Sequence, residues 1–413
     1  MKNKLNTLIS KLGEKFGFDA HYFVKNTFWL LFGQGIMSFS AFIATIFLAN
    51  FVTKHDVGDY RFIISIYITL SALPMSGLGP SFMRAIVNKR DGALSDALSI
   101  KKRYGFYTFL VGLLISLYFL YKNNPIIAGA VFIASLSLVF IETYSLYSPY
   151  LQAKQEFKFS SINAGITKLV SSIAVVIIAL IFPQTVYLVL AFYGSQAITN
   201  YIQYKSLVKR FPPENNDKDP EMLPYAKHLT LAGVGLFLFG QSDKFLLYHF
   251  FGPVTLASYW IASAIPQEVG RVVSTVGQVA FPKFVKVNHE DAKKSLSKKL
   301  VVSTLVLLGI STVYAFLAYP FFYLFFPTYI SEVAKSIVLM FAFAVIPHYF
   351  VWSYYAAKAR HKIMYFSNNI EPVLQIIFYF AFIPFFGIWG LVFAMLLKAM
   401  CMNAIAWYVI SKY

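Results

Sequence analysis

Apolar runs of about twenty residues, the length a helix needs to cross roughly 30 Å of hydrocarbon, recur from one end of this chain to the other. Inside a bilayer every backbone polar group must be bonded within the protein, so a span is either a helix or a strand of a closed barrel. Barrel strands alternate polar and apolar residues over about ten positions, and these runs do not alternate. The chain is 58% hydrophobic and 13% charged, against about 45–50% and 25% in soluble domains. The expected fold is an all-α integral membrane protein with about twelve transmembrane helices. The spans fall near 27–52, 61–87, 104–121, 126–152, 159–182, 186–207, 225–251, 254–283, 299–326, 331–356, 363–386 and 388–410.

The net charge of +18 would suggest nucleic acid in a soluble domain. Here the cations sit in short loops between the apolar runs, and no nucleic-acid motif accompanies them. One set of loops, with both tails, carries about 27 of the 36 Lys and Arg residues; it includes Lys89, Arg90, Lys101, Lys102, Arg103, Lys154, Lys158 and Lys209. The opposite loops hold only Lys54, Lys122 and Lys335. By the positive-inside rule the rich side is cytoplasmic, which puts both termini in the cytoplasm and favours an even number of spans. Residues 1–26 contain no apolar stretch of the kind a cleavable signal needs. Leu5, Leu8, Ile9, Leu12 and Phe16 are spaced for a short amphipathic interfacial helix, with a plain cytosolic tail as the alternative. The single cysteine, Cys401, excludes an intrachain disulfide and a cysteine metal cluster.

The longest polar stretch, Lys209 to Pro224, lies at the midpoint. It divides the chain into an N-terminal segment (1–26), a first lobe of six spans (27–207), a linker (208–224) and a second lobe of six spans (225–413). Phe51–Tyr60 (FVTKHDVGDY) and Phe250–Tyr259 (FFGPVTLASY) each join a first span to a second. Corresponding loops face the same side, so the repeats are parallel, related by an axis along the membrane normal.

The residues that open each half carry a family resemblance. They are Asn26–Gly33 (NTFWLLFG) and Val57–Tyr60 in the first half. In the second they are Gly235, Gln241–Lys244, Phe251–Gly252, Ala257–Tyr259 and Phe281–Lys283. With the span count and loop pattern, the chain resembles the polysaccharide flippases, of O-antigen and teichoic-acid type, in the multidrug/oligosaccharidyl-lipid/polysaccharide exporter superfamily. Such proteins often carry a basic residue near the start of the 52–56 loop, where this chain offers Lys54. The resemblance implies a two-lobed bundle around a central cavity that opens alternately to each side. It implies a polyprenyl-diphosphate-linked oligosaccharide as substrate and a bacterial inner-membrane location. It also implies a polysaccharide polymerase or chain-length machinery as partner, and no cofactor beyond a coupling H⁺ or Na⁺.

Independently of that resemblance, charge lies inside the spans. Arg61, Arg84, Lys168, Lys244, Arg271 and Lys398 are the cations; Glu142, Asp243, Glu268 and Glu371 are the anions. A charge at mid-bilayer costs about 2.5–3.5 kcal/mol on insertion scales, so such groups usually face a bundle interior or a wet cavity. A cavity lined by cations suits a diphosphate: Arg contacts phosphate through two donors and Lys acts as a point charge. Arg271, Lys168 and Lys398 are the expected cavity cations. Arg84 either meets the head group at the cytoplasmic end or snorkels to the interface, and Arg61 is expected to snorkel.

Glu142, Asp243, Lys244, Glu268 and Glu371 are candidates for coupling or gating. Glu268 and Arg271 stand i,i+3 and can instead pair along one helix face. Glu371 lies near the repeat equivalent of Lys168, and opposite charges at matched positions could form a bridge that closes one state. Glu142 reads as an isolated carboxylate able to carry a proton or help hold Na⁺. Helix breakers mark the second span (Pro74, Gly77, Gly79, Pro80) and the eighth (Pro266, Gly270). Such interruptions point to a substrate site or hinge, or to kinks that neighbouring helices tolerate.

Two other functions compete. A cation-coupled multidrug antiporter would want an acidic cavity, and the first span, Thr27–Val52, has no carboxylate. A membrane sugar polymerase, ligase or glycosyltransferase would want a large external loop or an acidic motif, and no external loop exceeds about ten residues.

Overall fold

The computed structural model describes residues 20–286, 289–344, 351, 354–355 and 361–412, and those residues form helices and turns with no strand. The helices are α1 (Ala20–Phe51), α2 (Lys54–Leu70), α3 (Leu78–Val87), α4 (Ala93–Tyr121), α5 (Pro125–Tyr144), α6 (Tyr147–Ala153) and α7 (Phe157–Ile181). They continue with α8 (Thr185–Val189), a π-helical turn (Leu190–Gly194), α9 (Ser195–Arg210), α10 (Met222–Phe239), α11 (Ser242–Lys286) and α12 (His289–Phe325). A 3-10 turn (Pro327–Glu332), α13 (Val333–Ala344) and α14 (His361–Lys412) complete the order. The expected amphipathic segment at 1–19, and much of the tenth span and the 356–360 loop, lie outside the described residues.

Among the described residues, seven runs are long and apolar enough to cross a bilayer. Two of them hold parts of consecutive spans, because the backbone leaves helical geometry at Gly252 (φ +77°) and Gly387 (φ +55°). Those left-handed angles need glycine. They coincide with the expected junctions between spans seven and eight and between eleven and twelve. Other expected spans are interrupted and fall short of a full crossing as single helices. The second breaks over 71–77, and the sixth changes to a π turn at 190–194.

The break in the second span has a local cause. Pro74 has no N–H to continue the helix, and Met75 adopts φ +57°. Gly77 then meets α10: its N–H donates to Thr230 Oγ1 at 3.0 Å, and a Cβ there would lie 2.5 Å from the Ala226 carbonyl oxygen. The seventh span also breaks, at Gly240–Gln241, between α10 and α11. The eighth does not: apart from Gly252, helical dihedrals run through α11, Pro266 and Gly270 included. A proline inside a helix removes one hydrogen bond, and neighbouring helices in a membrane make that tolerable. The expectation of a break at these two residues is therefore corrected.

The α4–α5 hairpin is built on small residues. Asn124 caps α5 by accepting from the Ile127 N–H, with Pro125 at the first helical position. Gly112 packs so tightly on Ser135 that an added Cβ would sit 2.3 Å from the serine Cβ, and Ser116 Oγ donates to the Ala128 carbonyl at 2.7 Å. Small residues let helix backbones approach where lipid supplies no hydrophobic drive. α4 begins at Ala93, eleven residues before the expected 104, so Lys101, Lys102 and Arg103 are helical rather than loop residues.

Two compact units form. One comprises residues up to Thr45 with Leu70–Gly233; the other comprises Ile46–Thr69 with Val234 to the C-terminus. Each takes material from both halves of the sequence. In the first unit Leu78, Phe82, Ala97, Tyr150, Leu207 and Ala226 share one core, with the Phe82 and Tyr150 rings stacked. The linker is strapped to this unit. Lys154 Nζ reaches Asp91 and Glu214, each at 2.9 Å, Lys218 pairs with Asp96, and Arg90 pairs with Asp219. Burial opposes the charge on Lys154, yet its hydrogen bonds to Glu214 and Asp91 prevail and raise its pKa. Asp91 is 1% exposed. Lys154→Met leaves that carboxylate with the Glu214 N–H at 2.8 Å but without its cation, and breaking such a pair costs about 3 kcal/mol. The melting temperature in detergent should fall, while Lys218→Met, at an exposed pair, should leave it nearly unchanged.

Candidate functional site

A polar network of the second unit is built on the interruption at Gly240–Gln241. Where α10 ends, the Phe239 carbonyl has lost its helical donor. Ser242 Oγ supplies one replacement at 2.7 Å and Gln375 Nε2 from α14 another at 3.0 Å. The Gln375 Oε1 accepts from Lys398 Nζ at 3.1 Å, and the same ammonium lies 3.2 Å from Glu371. Asp243 accepts from the buried Tyr259 hydroxyl at 2.9 Å and pairs with Lys244 at 3.1 Å. Two carboxylates and two ammonium groups thus compensate one another around a broken helix. Lys398 is a partner of Glu371 here, rather than a cation standing alone. Adjacent positions on a helix diverge by about 100°, but the long Lys244 side chain folds back onto Asp243.

Further along α11, Arg271 Nη1 lies 2.9 Å from Glu268 Oε1, and both side chains are partly exposed. The i,i+3 pairing is the arrangement present.

A second cluster in this unit surrounds residues 46–69. The buried Asp59 carboxylate accepts from the Tyr248 hydroxyl at 2.7 Å and faces His55 at 3.4 Å. Phe62 stacks on the Tyr248 ring with centroids 3.8 Å apart. Asn50 Nδ2 donates to the Phe325 carbonyl at 2.9 Å, Thr328 Oγ1 donates to that of Ala49 at 3.0 Å, and Lys54 lies over the Tyr329 ring. Gly58 lies directly against the Pro253 backbone. The two linkers that match as repeat equivalents in sequence therefore pack on one another and form a clasp. Arg61 belongs to it: its guanidinium is centred 3.3 Å over Trp260. That is a packed cation–π contact.

In the first unit, Lys101 Nζ bonds Glu142 at 2.7 Å, with the lysine side chain 6% exposed. Glu142 is thus not isolated; its partner sat in what the sequence presented as a loop. Nearby, Thr167 Oγ1 donates to Gln203 Oε1 at 3.1 Å, and Gln203 Nε2 donates to the Asn163 carbonyl at 2.8 Å. Lys168 holds its ammonium 4.8 Å from the Phe192 ring, and Phe192 belongs to the π turn. Arg84 is exposed on α3, with its guanidinium 5.3 Å from the Tyr225 ring. Gly79 has open space around it and Pro80 lies in the first turn of α3. Among the described residues no group of three or more His, Cys, Asp or Glu side chains is placed to hold a metal ion.

Sequence reasoning missed Lys101, Asp59, Tyr248, Tyr259, Trp260 and Gln375. Asp59 lies within a motif that carried the resemblance, as does Tyr259, and this was the one available signal.

The arrangement of apolar helices with paired charges set into them is similar to that of several solved membrane proteins. The fold matches an inward-facing MATE-family multidrug resistance transporter of the MOP superfamily over 91% of this chain and 94% of that one, with TM-score 0.69 and 12% identity. It matches the lipid II flippase MurJ in an inward closed conformation over 94% and 88%, with TM-score 0.71 and 15% identity. It also matches a MOP superfamily transporter from Pyrococcus furiosus, described as having a binding pocket of reversed polarity, over 94% and 95%, with TM-score 0.60 and 14% identity. No curated protein matches in sequence. The chain belongs to the polysaccharide biosynthesis protein family, which it matches over residues 23–288. Its fold is similar to that of solved MOP superfamily transporters and of a lipid II flippase.

Proposed function

We propose that this protein moves a polyprenyl-diphosphate-linked oligosaccharide from the cytoplasmic to the outer leaflet by alternating access, as a step in cell-surface polysaccharide biosynthesis. Family membership is the observation that carries this reading. The excess of cations over carboxylates within the spans supports it, because an anionic head group must be compensated away from water. Lys168, Arg271 and Arg84 are the cations assigned to the diphosphate. The Lys398–Glu371 and Asp243–Lys244 pairs are assigned to gating, and Glu142 to coupling by H⁺ or Na⁺ through exchange of its Lys101 partner. Two six-span lobes, cytoplasmic termini, a bacterial inner membrane and a polymerase partner belong to the same proposal. The alternative is a cation-coupled multidrug antiporter, which the MATE-family fold match keeps in view.

The test is a liposome assay following a labelled polyprenyl-diphosphate oligosaccharide between leaflets, beside efflux of a cationic dye. Lipid movement without dye efflux supports the flippase; the reverse overturns it. Lys168→Ala and Arg271→Ala should each slow lipid movement about tenfold or more, the effect of losing one charge-assisted hydrogen bond in the rate-limiting step. Full rates with Arg271→Ala would keep the function and assign Arg271 to its pair with Glu268.

A further inference from the structure

One exposed face of α9 changes character in the order of a phospholipid. Ile198 and Ile202 are 63% and 59% exposed, Tyr201 beside them is 39% exposed, and Lys205 and Lys209 follow, both exposed. The spacing 198, 201, 202, 205, 209 keeps these residues on one helical stripe. The stripe therefore passes from apolar through aromatic to cationic within about three turns of helix. Lys209 and Arg210 end the helix, where cations also complement its dipole.

The aromatic step is a built cluster. The Tyr144 ring of α5 stands at 70° to Tyr201 with centroids 5.0 Å apart, and 5.3 Å from Tyr204. The Lys205 ammonium lies 4.7 Å from the Tyr201 ring centre. The same depth is marked on the far side of α5. Lys101 meets Glu142 and Gly105 meets Val139, so Arg103 of α4 falls near the level of Phe140. Its Nε approaches the Tyr107 hydroxyl at 3.4 Å, and Phe106 on α4 and Phe140 on α5 are both exposed. Rings with a polar tip settle at the head-group level of a membrane, so these tyrosines fix where the interface lies. The two lysines stand on its aqueous side and the two isoleucines on its hydrocarbon side.

We infer that this α9 stripe is a binding site for an anionic phospholipid of the cytoplasmic leaflet. The phosphate sits on Lys205 and Lys209, the glycerol region lies against Tyr201 and Tyr144, and one acyl chain runs along Ile198 and Ile202. Charge complementarity selects the ligand: two ammonium groups with no carboxylate in α9 favour a head group with net negative charge over a zwitterionic one. The site is separate from the cations assigned to transport.

The test uses full-length protein in nanodiscs of phosphatidylcholine with a minor fraction of phosphatidylglycerol, with retained lipids counted by native mass spectrometry after gentle detergent release. Wild type should retain phosphatidylglycerol above its share. Each lysine near an anionic surface contributes about fivefold, so Lys205→Gln with Lys209→Gln should weaken that retention roughly thirtyfold and leave phosphatidylcholine retention unchanged. Tyr201→Leu should weaken it less. Lys122→Gln, at the opposite end of the spans, should have no effect. Equal retention in the double variant, or parallel loss of both lipids, overturns the proposal. Competitive displacement of phosphatidylglycerol by undecaprenyl phosphate at equimolar amounts would overturn it too, by giving the stripe to a carrier lipid. Because lipid retention is read without transport, failure here leaves the flippase reading standing, and failure of transport leaves this site standing.

Discussion

Gly58→Val is expected to abolish transport while the protein still inserts in the membrane. Gly58 lies in α2, where a Cβ would come 1.9 Å from the Pro253 carbonyl oxygen, 2.4 Å from its carbon and 2.7 Å from its Cα. All three are backbone atoms, so no rotamer change relieves the overlap. Extra methylenes in a packed site commonly cost about 1–3 kcal/mol, and a rigid neighbour puts this case at or above the upper end. The clasp must open for that strain to be relieved, which separates Asp59 from Tyr248 and Arg61 from Trp260. Transport should fall at least a hundredfold, by the tenfold per about 1.4 kcal/mol relation. Gly58→Ala should already show most of the loss. Gly309→Val, in α12 of the same unit with nothing within 4 Å of its Cβ position, is the control for substituting a helical glycine. Wild-type rates in Gly58→Val would remove the clasp from the mechanism.

The second large effect concerns Lys398. Lys398→Met leaves the Glu371 carboxylate, 19% exposed, facing Gln375 without its cation. Breaking a buried pair by removing one partner costs about 3–5 kcal/mol, while replacing both partners can be nearly neutral. Lys398→Met should therefore lower the melting temperature by several degrees, and the double variant with Glu371→Gln should recover most of it. Strict additivity of the two single changes would show that the pair does not act as a unit. Transport separates a structural role from gating. If the double variant is stable yet inactive, the charges serve the conformational cycle. If it is stable and active, they serve packing alone.

Much of the fold was legible because lipid imposes simple rules. Span length follows from bilayer thickness, and the junctions at Gly252 and Gly387 fell where the apolar runs suggested. The family opening motifs also pointed to Asp59, Asp243 and Tyr259, though not to their partners. What stayed hidden depends on packing between distant segments. Lys101 read as a loop cation because hydropathy drops there, yet its helix continues and buries it against Glu142. The break at Gly240–Gln241 carries no proline, and its freed carbonyl is satisfied from α14, more than a hundred residues away. Pro266 and Gly270 look like breakers by local propensity, which neighbouring helices override. The Trp260 ring against which Arg61 packs lies 199 residues along the chain, beyond the reach of local pattern.

The clasp ties folding to the order of synthesis. Asp59 and the Tyr248 hydroxyl that satisfies it are 189 residues apart, so the first hairpin leaves the ribosome long before its partners exist. Through that interval Asp59 and Arg61 depend on water, lipid head groups or the insertion machinery. Only when α11 arrives can Tyr248 and Trp260 take over. The second half of the chain completes the first as it is made, and a chain stopped at the linker would carry residues 46–69 without the surface on which they fold.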